Sequence, residues 1–131
     1  MFMKNKPLSF LAAAMVLAAS ALGANTALAH GAAEPQHGGV VQSAADLSFE
    51  LVATADGATI YVIDHDDDYD ASGLSGKLTV LNGSEKSEAE LKPAGGNKLE
   101  AKGVKLGTGA KVVAALNTGS RKTITVRFAV K

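Results

Sequence analysis

Beyond residue 46, apolar and polar side chains alternate along the chain. Leu47, Phe49 and Leu51 interleave with Ser48 and Glu50, and Ile124, Val126, Phe128 and Val130 interleave with Thr125, Arg127 and Lys131. A period of two places one row of side chains on each face of a strand. Residues 58–64 (ATIYVID) are apolar on both faces and rich in β-branched side chains, which predicts a central strand. Further strands are predicted over 77–81, 85–92, 97–102 and 111–116. Asn82-Gly83, Gly95-Gly96 and Thr118-Gly119 supply turns, and Pro93 closes a strand. The pattern predicts an all-β fold, a single antiparallel β-sandwich or small Greek-key barrel of about seven strands.

The N-terminal residues follow another pattern. Lys4 and Lys6 precede an apolar run over 8–23, and Ala27-Leu28-Ala29 gives a small-x-small cleavage site. That is the layout of a secretory signal peptide over 1–29. The run is shorter than the roughly 20 residues a spanning helix needs, so no stable membrane insertion is expected. Residues 30–39 (HGAAEPQHGG) have no periodic face and read as an extended arm, followed by one β-domain over 40–131. The expected location is the periplasm.

Composition narrows the chemistry. The chain has no cysteine, and Met1, Met3 and Met15 all leave with the signal. Thiolate and thioether ligands are therefore absent from the mature chain, which excludes a soft Cu(I) site. Charge is strongly segregated. Residues 30–70 hold nine acids and no Lys or Arg, a charge of −9, while residues 71–131 hold eleven bases against four acids, +7. All three histidines, His30, His37 and His65, fall in the acidic part, whose field attracts cations.

These histidines are the candidate ligands. Cleavage after Ala29 would leave His30 first, able to chelate through its α-amine and ring nitrogen. His37 or His65 would add a nitrogen, and Asp64 or Asp66 an oxygen or a hydrogen-bond acceptor that fixes a ligating ring. Such a donor set suits Cu(II) first, with Zn(II) or Ni(II) as alternatives. Asp66, Asp68 and Asp70 have the 1-3-5 spacing of a calcium loop, but Ala71 stands where a glycine is required and Lys77 where a glutamate is required. The segment is thus no EF-hand, and a charged turn is the simpler reading.

No nucleophile elbow or phosphate loop occurs, and Phe49, Tyr61, Tyr69 and Phe128 are too few for an aromatic substrate face. No enzymatic activity is expected. The eleven bases are spread along strands and turns without aromatic interleaving, so nucleic acid is not an expected partner. They read as a solvated face, with docking of an acidic protein as a secondary use.

The stretch HGGVVQSAADLSFELVATADGATIYVIDH, continued by GLSGKLTVLNG, LKPAGGNKLEA and GAKVVAAL, resembles small periplasmic proteins found beside heavy-metal efflux and copper-resistance systems. Its markers are His37-Gly38-Gly39, Glu50-Leu51-Val52 and Asp64 after the central strand. His30 and the Asp64-His65 pair are also similar to the ligand set of CopC-type copper carriers. These resemblances imply a β-sandwich that binds Cu(II) in metal buffering, delivery or resistance, with a heavy-metal efflux component as a possible partner. The alternative is an interaction module that docks onto an efflux or envelope partner and binds no metal.

Overall fold

The computed structural model describes residues 33–131. The expected signal peptide over 1–29 and His30 lie outside the described residues. Nine strands follow in order: β1 (Val40–Ala44), β2 (Leu47–Thr54), β3 (Gly57–Asp64), β4 (Asp67–Asp68), β5 (Ser75–Asn82), β6 (Glu85–Pro93), β7 (Lys98–Lys102), β8 (Lys111–Asn117) and β9 (Thr123–Ala129). The count exceeds the seven or so expected because β1 and the two-residue β4 carry no alternating pattern. A single turn of 3-10 helix, Ala71–Gly73, lies between β4 and β5.

All ladders are antiparallel, and the strands run β1-β2-β3-β7-β6-β5-β8-β9, with β4 against β3. Two Greek keys overlap in this order. Strands β5, β6 and β7 form consecutive hairpins, while β3 returns beside β7 and β8 beside β5. The sheet curls into a nearly closed barrel. Its halves join through a short ladder of two pairs, Lys92↔Glu100 and Pro93↔Leu99. On the other side β1 and β9 run close together with no ladder between them among the described residues.

Alternation fills the barrel as predicted. Phe49 and Leu51 of β2, Ile60 and Val62 of β3, Leu78 and Val80 of β5, and Ile124, Val126 and Phe128 of β9 all join one buried core. Burying such a side chain contributes about 1.5–3 kcal/mol. The outward row of β2 breaks the rule, because Ser48 and Glu50 are buried as well. Neither belongs to the core, so something must cover them from outside.

Three tight turns join neighbouring strands. Ala44 pairs with Leu47, leaving Ala45 (φ 53°) and Asp46 (φ 65°) as a two-residue loop with positive φ at both positions. That is the I′ pattern, which favours Asn-Gly; an alanine there costs about 1–2 kcal/mol. Asp64 pairs with Asp67, leaving His65 (φ 61°) and Asp66 in the next loop. The expected Asn82-Gly83 turn sits one residue later. Asn82 pairs with Glu85, so the loop is Gly83-Ser84, with Gly83 at φ 61°. Asn82 instead ties down a distant loop, donating to the Lys105 carbonyl (2.9 Å) and accepting from the Gly107 N–H (3.2 Å).

Close strand approach sets one requirement that can be tested. A Cβ at Gly76 of β5 would collide with the Ala115 carbonyl oxygen of β8 and come within 2.9 Å of the Leu116 Cα, whereas one at Gly119 would meet nothing within 4 Å. Gly76→Ala is expected to lower stability by about 1–3 kcal/mol, read as a fall in the urea midpoint. Gly119→Ala should leave that midpoint nearly unchanged.

Candidate functional site

The cover over the outward face of β2 is the arm, residues 33–39. The Ala33 N–H donates to Ser48 Oγ at 3.1 Å. Glu50 then takes four donors. Its Oε1 accepts from the Gln36 N–H (2.9 Å) and the His37 ring Nδ1 (3.1 Å), and its Oε2 accepts from the His37 and Gly39 N–H groups (both 2.8 Å). The carboxylate is fully buried beneath this wrap.

Burial acts first on the Glu50 carboxyl and pushes its pKa up. Hydrogen bonds from the Gln36 and Gly39 N–H groups, the His37 ring and the His37 N–H together outweigh it. The net result lies below the usual glutamate value, so the group is a carboxylate at neutral pH.

The His37-Gly38-Gly39 motif acquires a separate reason at each position. The His37 ring stacks flat on Tyr61, with centroids 3.6 Å apart and planes within 3°. Tyr61 is the residue opposite Glu50 in the β2–β3 ladder. Gly38 takes φ 76°, where L side chains are strained. At Gly39 a Cβ would strike the Leu51 carbonyl oxygen. Since an ionised carboxylate only accepts, His37 Nδ1 carries the proton, and the neutral ring keeps its lone pair on Nε2. The side chain stays 41% exposed.

His65 repeats the arrangement on the surface. Its Nδ1 lies 2.7 Å from Asp64 Oδ1, and its side chain is 83% exposed. The hydrogen bond that Asp64 accepts and then its charge, with smaller contributions from the charges of Asp46 and Asp66, raise the imidazole pKa above the ordinary histidine value. His65, Asp66 and Asp68 share an open cleft of about 340 Å³ with Ala33, Glu34, Gln36 and Ile63.

The structure therefore divides the expected ligands. His37 lies over Tyr61 in the middle of β3, while His65 sits in the turn after β3. Asp64 serves as the acceptor for His65, and Asp66 lines the cleft. Among the described residues no three His, Asp or Glu side chains converge on one point. The aspartates with calcium-like spacing also diverge: Asp68 lies in β4, and Asp70 caps the 3-10 turn by accepting from the Ser72 N–H at 2.9 Å. That bond holds the Asp70 carboxyl below its ordinary value.

Sequence reading missed Glu50 and Tyr61 as site residues. Their signal was a lone charge between two core residues of a strand, facing an aromatic in the next strand. No family model, curated protein or solved structure matches the chain. Among the described residues no helix is long and apolar enough to cross a membrane.

Both carboxylates give testable outcomes. Glu50→Ala should release the arm, costing about 1–3 kcal/mol and removing the ring-current shift that Tyr61 imposes on the His37 protons. Because the folded pKa of Glu50 is depressed, its contribution is complete above the unfolded value of about 4.3 and fades as pH falls through the folded one. The His37 shift should fade over that same acid window. For His65, NMR titration should give a pKa above about 6.5, and Asp64→Asn should bring it back down.

Proposed function

We propose that this is a periplasmic protein that binds a divalent transition-metal ion, Cu(II) ahead of Zn(II) or Ni(II), in metal buffering, delivery or resistance. One observation carries the reading. Both described histidines hold Nδ1 against a carboxylate, His37 on Glu50 and His65 on Asp64, which leaves Nε2 of each neutral ring as the donor. Carboxylate–histidine pairing of this kind orients metal-ligating imidazoles and raises their basicity.

Each ring sits beside its own carboxylate. An ion at either ring would need further ligands; Asp66 and Asp68 line the cleft that holds His65, without forming a three-ligand group with it among the described residues. The charge distribution supports the reading. Among the described residues, the lysine ion pairs join Lys77, Lys86 and Lys92 to Glu88 and Glu90, all in the basic half. The aspartates around His65 keep their attraction for cations. The His30 amine-and-ring chelate stays in the proposal on sequence grounds alone, as does the link to heavy-metal efflux.

Competitive Cu(II) titration of chain 30–131 tests the proposal, beside the same chain with one added N-terminal alanine. Binding tighter than micromolar is expected, weakening as pH falls and the imidazoles protonate. His37→Ala and His65→Ala should each reduce affinity if their site contributes, and Glu50→Ala should cost about 10–100-fold at a His37 site. Loss on adding the alanine would locate the ion at His30. Equal Cu(II) affinity in the triple His→Ala variant would overturn the histidine site, and no binding by either chain would favour a docking module that binds no metal.

A further inference from the structure

We propose that two copies of this chain exchange residues 33–44, the arm together with β1, by opening the β1–β2 turn. Each Glu50 is then wrapped by the arm of the other copy, so the Glu50–His37–Tyr61 assembly is built from two chains. Four observations carry this inference, and none depends on metal binding.

The first is the hinge. Ala45 and Asp46 both sit at positive φ in a two-residue loop, and neither is the glycine or asparagine that this turn favours. Opening the loop lets both residues relax into extended backbone, so strain is present in the closed hairpin and absent from the exchanged one. Short strained loops are the usual invitation to such exchange.

The second is the position of β1. It is an edge strand, hydrogen-bonded through five residue pairs to β2, and no ladder joins it to β9 among the described residues. Its departure breaks one ladder only. The third is the core. None of residues 33–44 belongs to the fully buried set; Val40 and Ala44 pack against it from the rim. A barrel that has shed this segment keeps its interior.

The fourth is specificity. The polar contacts that fasten the arm to the barrel end on Ser48 and Glu50 of β2, and its aromatic contact is with Tyr61 of β3. A second copy offers the same ladder, the same carboxylate and the same ring, so the interactions that opening breaks all re-form in exchange. Mutual exchange closes on itself as a two-fold dimer, and no binding surface is left over to grow a chain of copies.

The absence of native cysteine makes the test direct. Ser43 pairs with Ser48 beside the turn, so Ser43→Cys with Ser48→Cys reports which β1 lies against which β2. The full chain is partly unfolded with urea, refolded over a range of concentrations, diluted and then oxidised. A closed hairpin gives an intrachain disulfide, and an exchanged one gives a covalent dimer on a non-reducing gel. The covalent dimer is expected to grow with refolding concentration. It should fall severalfold when Ala45→Asn and Asp46→Gly supply the residues the turn favours.

Ser48→Cys removes the acceptor of the Ala33 N–H, so the cysteine-free chain is refolded in parallel and sized by light scattering. A dimer there, matched by interchain disulfides, supports exchange. Intrachain disulfides at every concentration overturn it, as does a cysteine-free chain that stays monomeric. A dimer fraction unmoved by the Asn-Gly turn also overturns it, because the hinge strain would then play no part.

Discussion

A carboxylate buried on the outside of a barrel is the constraint on which the described N-terminal region depends. Taking an ionised Glu50 out of water costs several kcal/mol, and only well-placed donors offset that. They come from the arm: three backbone N–H groups and one ring nitrogen. The path of residues 36–39 is thereby fixed to a point on β2. Gly38 must turn with positive φ, Gly39 must pass against the Leu51 carbonyl, and the His37 ring comes to rest on Tyr61. The barrel core supplies none of this specificity. It gives the platform, and Glu50 gives the address.

The charge asymmetry of the sequence has a spatial counterpart. Ser48 pairs with Ile63, so the loop holding Asp46 lies beside the one holding His65 and Asp66, and Asp46 does act on the His65 imidazole. Asp46 and the aspartates at 64–67, distant in sequence, thus meet at one end of the β1–β2–β3 layer. The cationic side chains lie mainly on the β5–β6–β8–β9 layer, where Lys77 and Lys86 pair with Glu88 and Lys92 pairs with Glu90. Neutralisation thus happens over the whole molecule and not at the acidic end. Exposed pairs of that sort contribute little to stability.

The legible part of the sequence was the part governed by one face of one strand. In β9 the inward row meets the core and the outward row meets water, so a period of two reads through cleanly. In β1 the row facing the seam with β9 and the row beside the arm are each covered only in part. Val40 and Val41 are both half-buried, Gln42 and Ser43 are both exposed, and no period survives. In β4, two aspartates pair because the His65-Asp66 turn delivers them to β3, which no propensity of Asp would suggest. Glu50 was correctly readable as outward-facing. Its burial comes from residues 11–14 positions away, and pattern reading along one strand does not see them. His37-Gly38-Gly39 and Glu50-Leu51-Val52 were each visible as motifs; what stayed hidden was that they are two sides of one contact.

The identity of residue 50 explains why the assembly tolerates so little chemistry. Each of its two oxygens faces two donors, so all four approaches must be met by lone pairs. A glutamine would turn one oxygen into an amide group. On one side that amide would face the Gln36 N–H, and on the other it would face two backbone N–H groups, so either orientation sets donor against donor. An apolar side chain would avoid the desolvation cost and leave three N–H groups with nowhere to go. Only an acceptor at both oxygens fits, and that requirement reaches the histidine: it forces the proton onto His37 Nδ1 and leaves the lone pair of the neutral ring on Nε2. The burial of Glu50 is therefore also what fixes the tautomer of the neutral His37 ring.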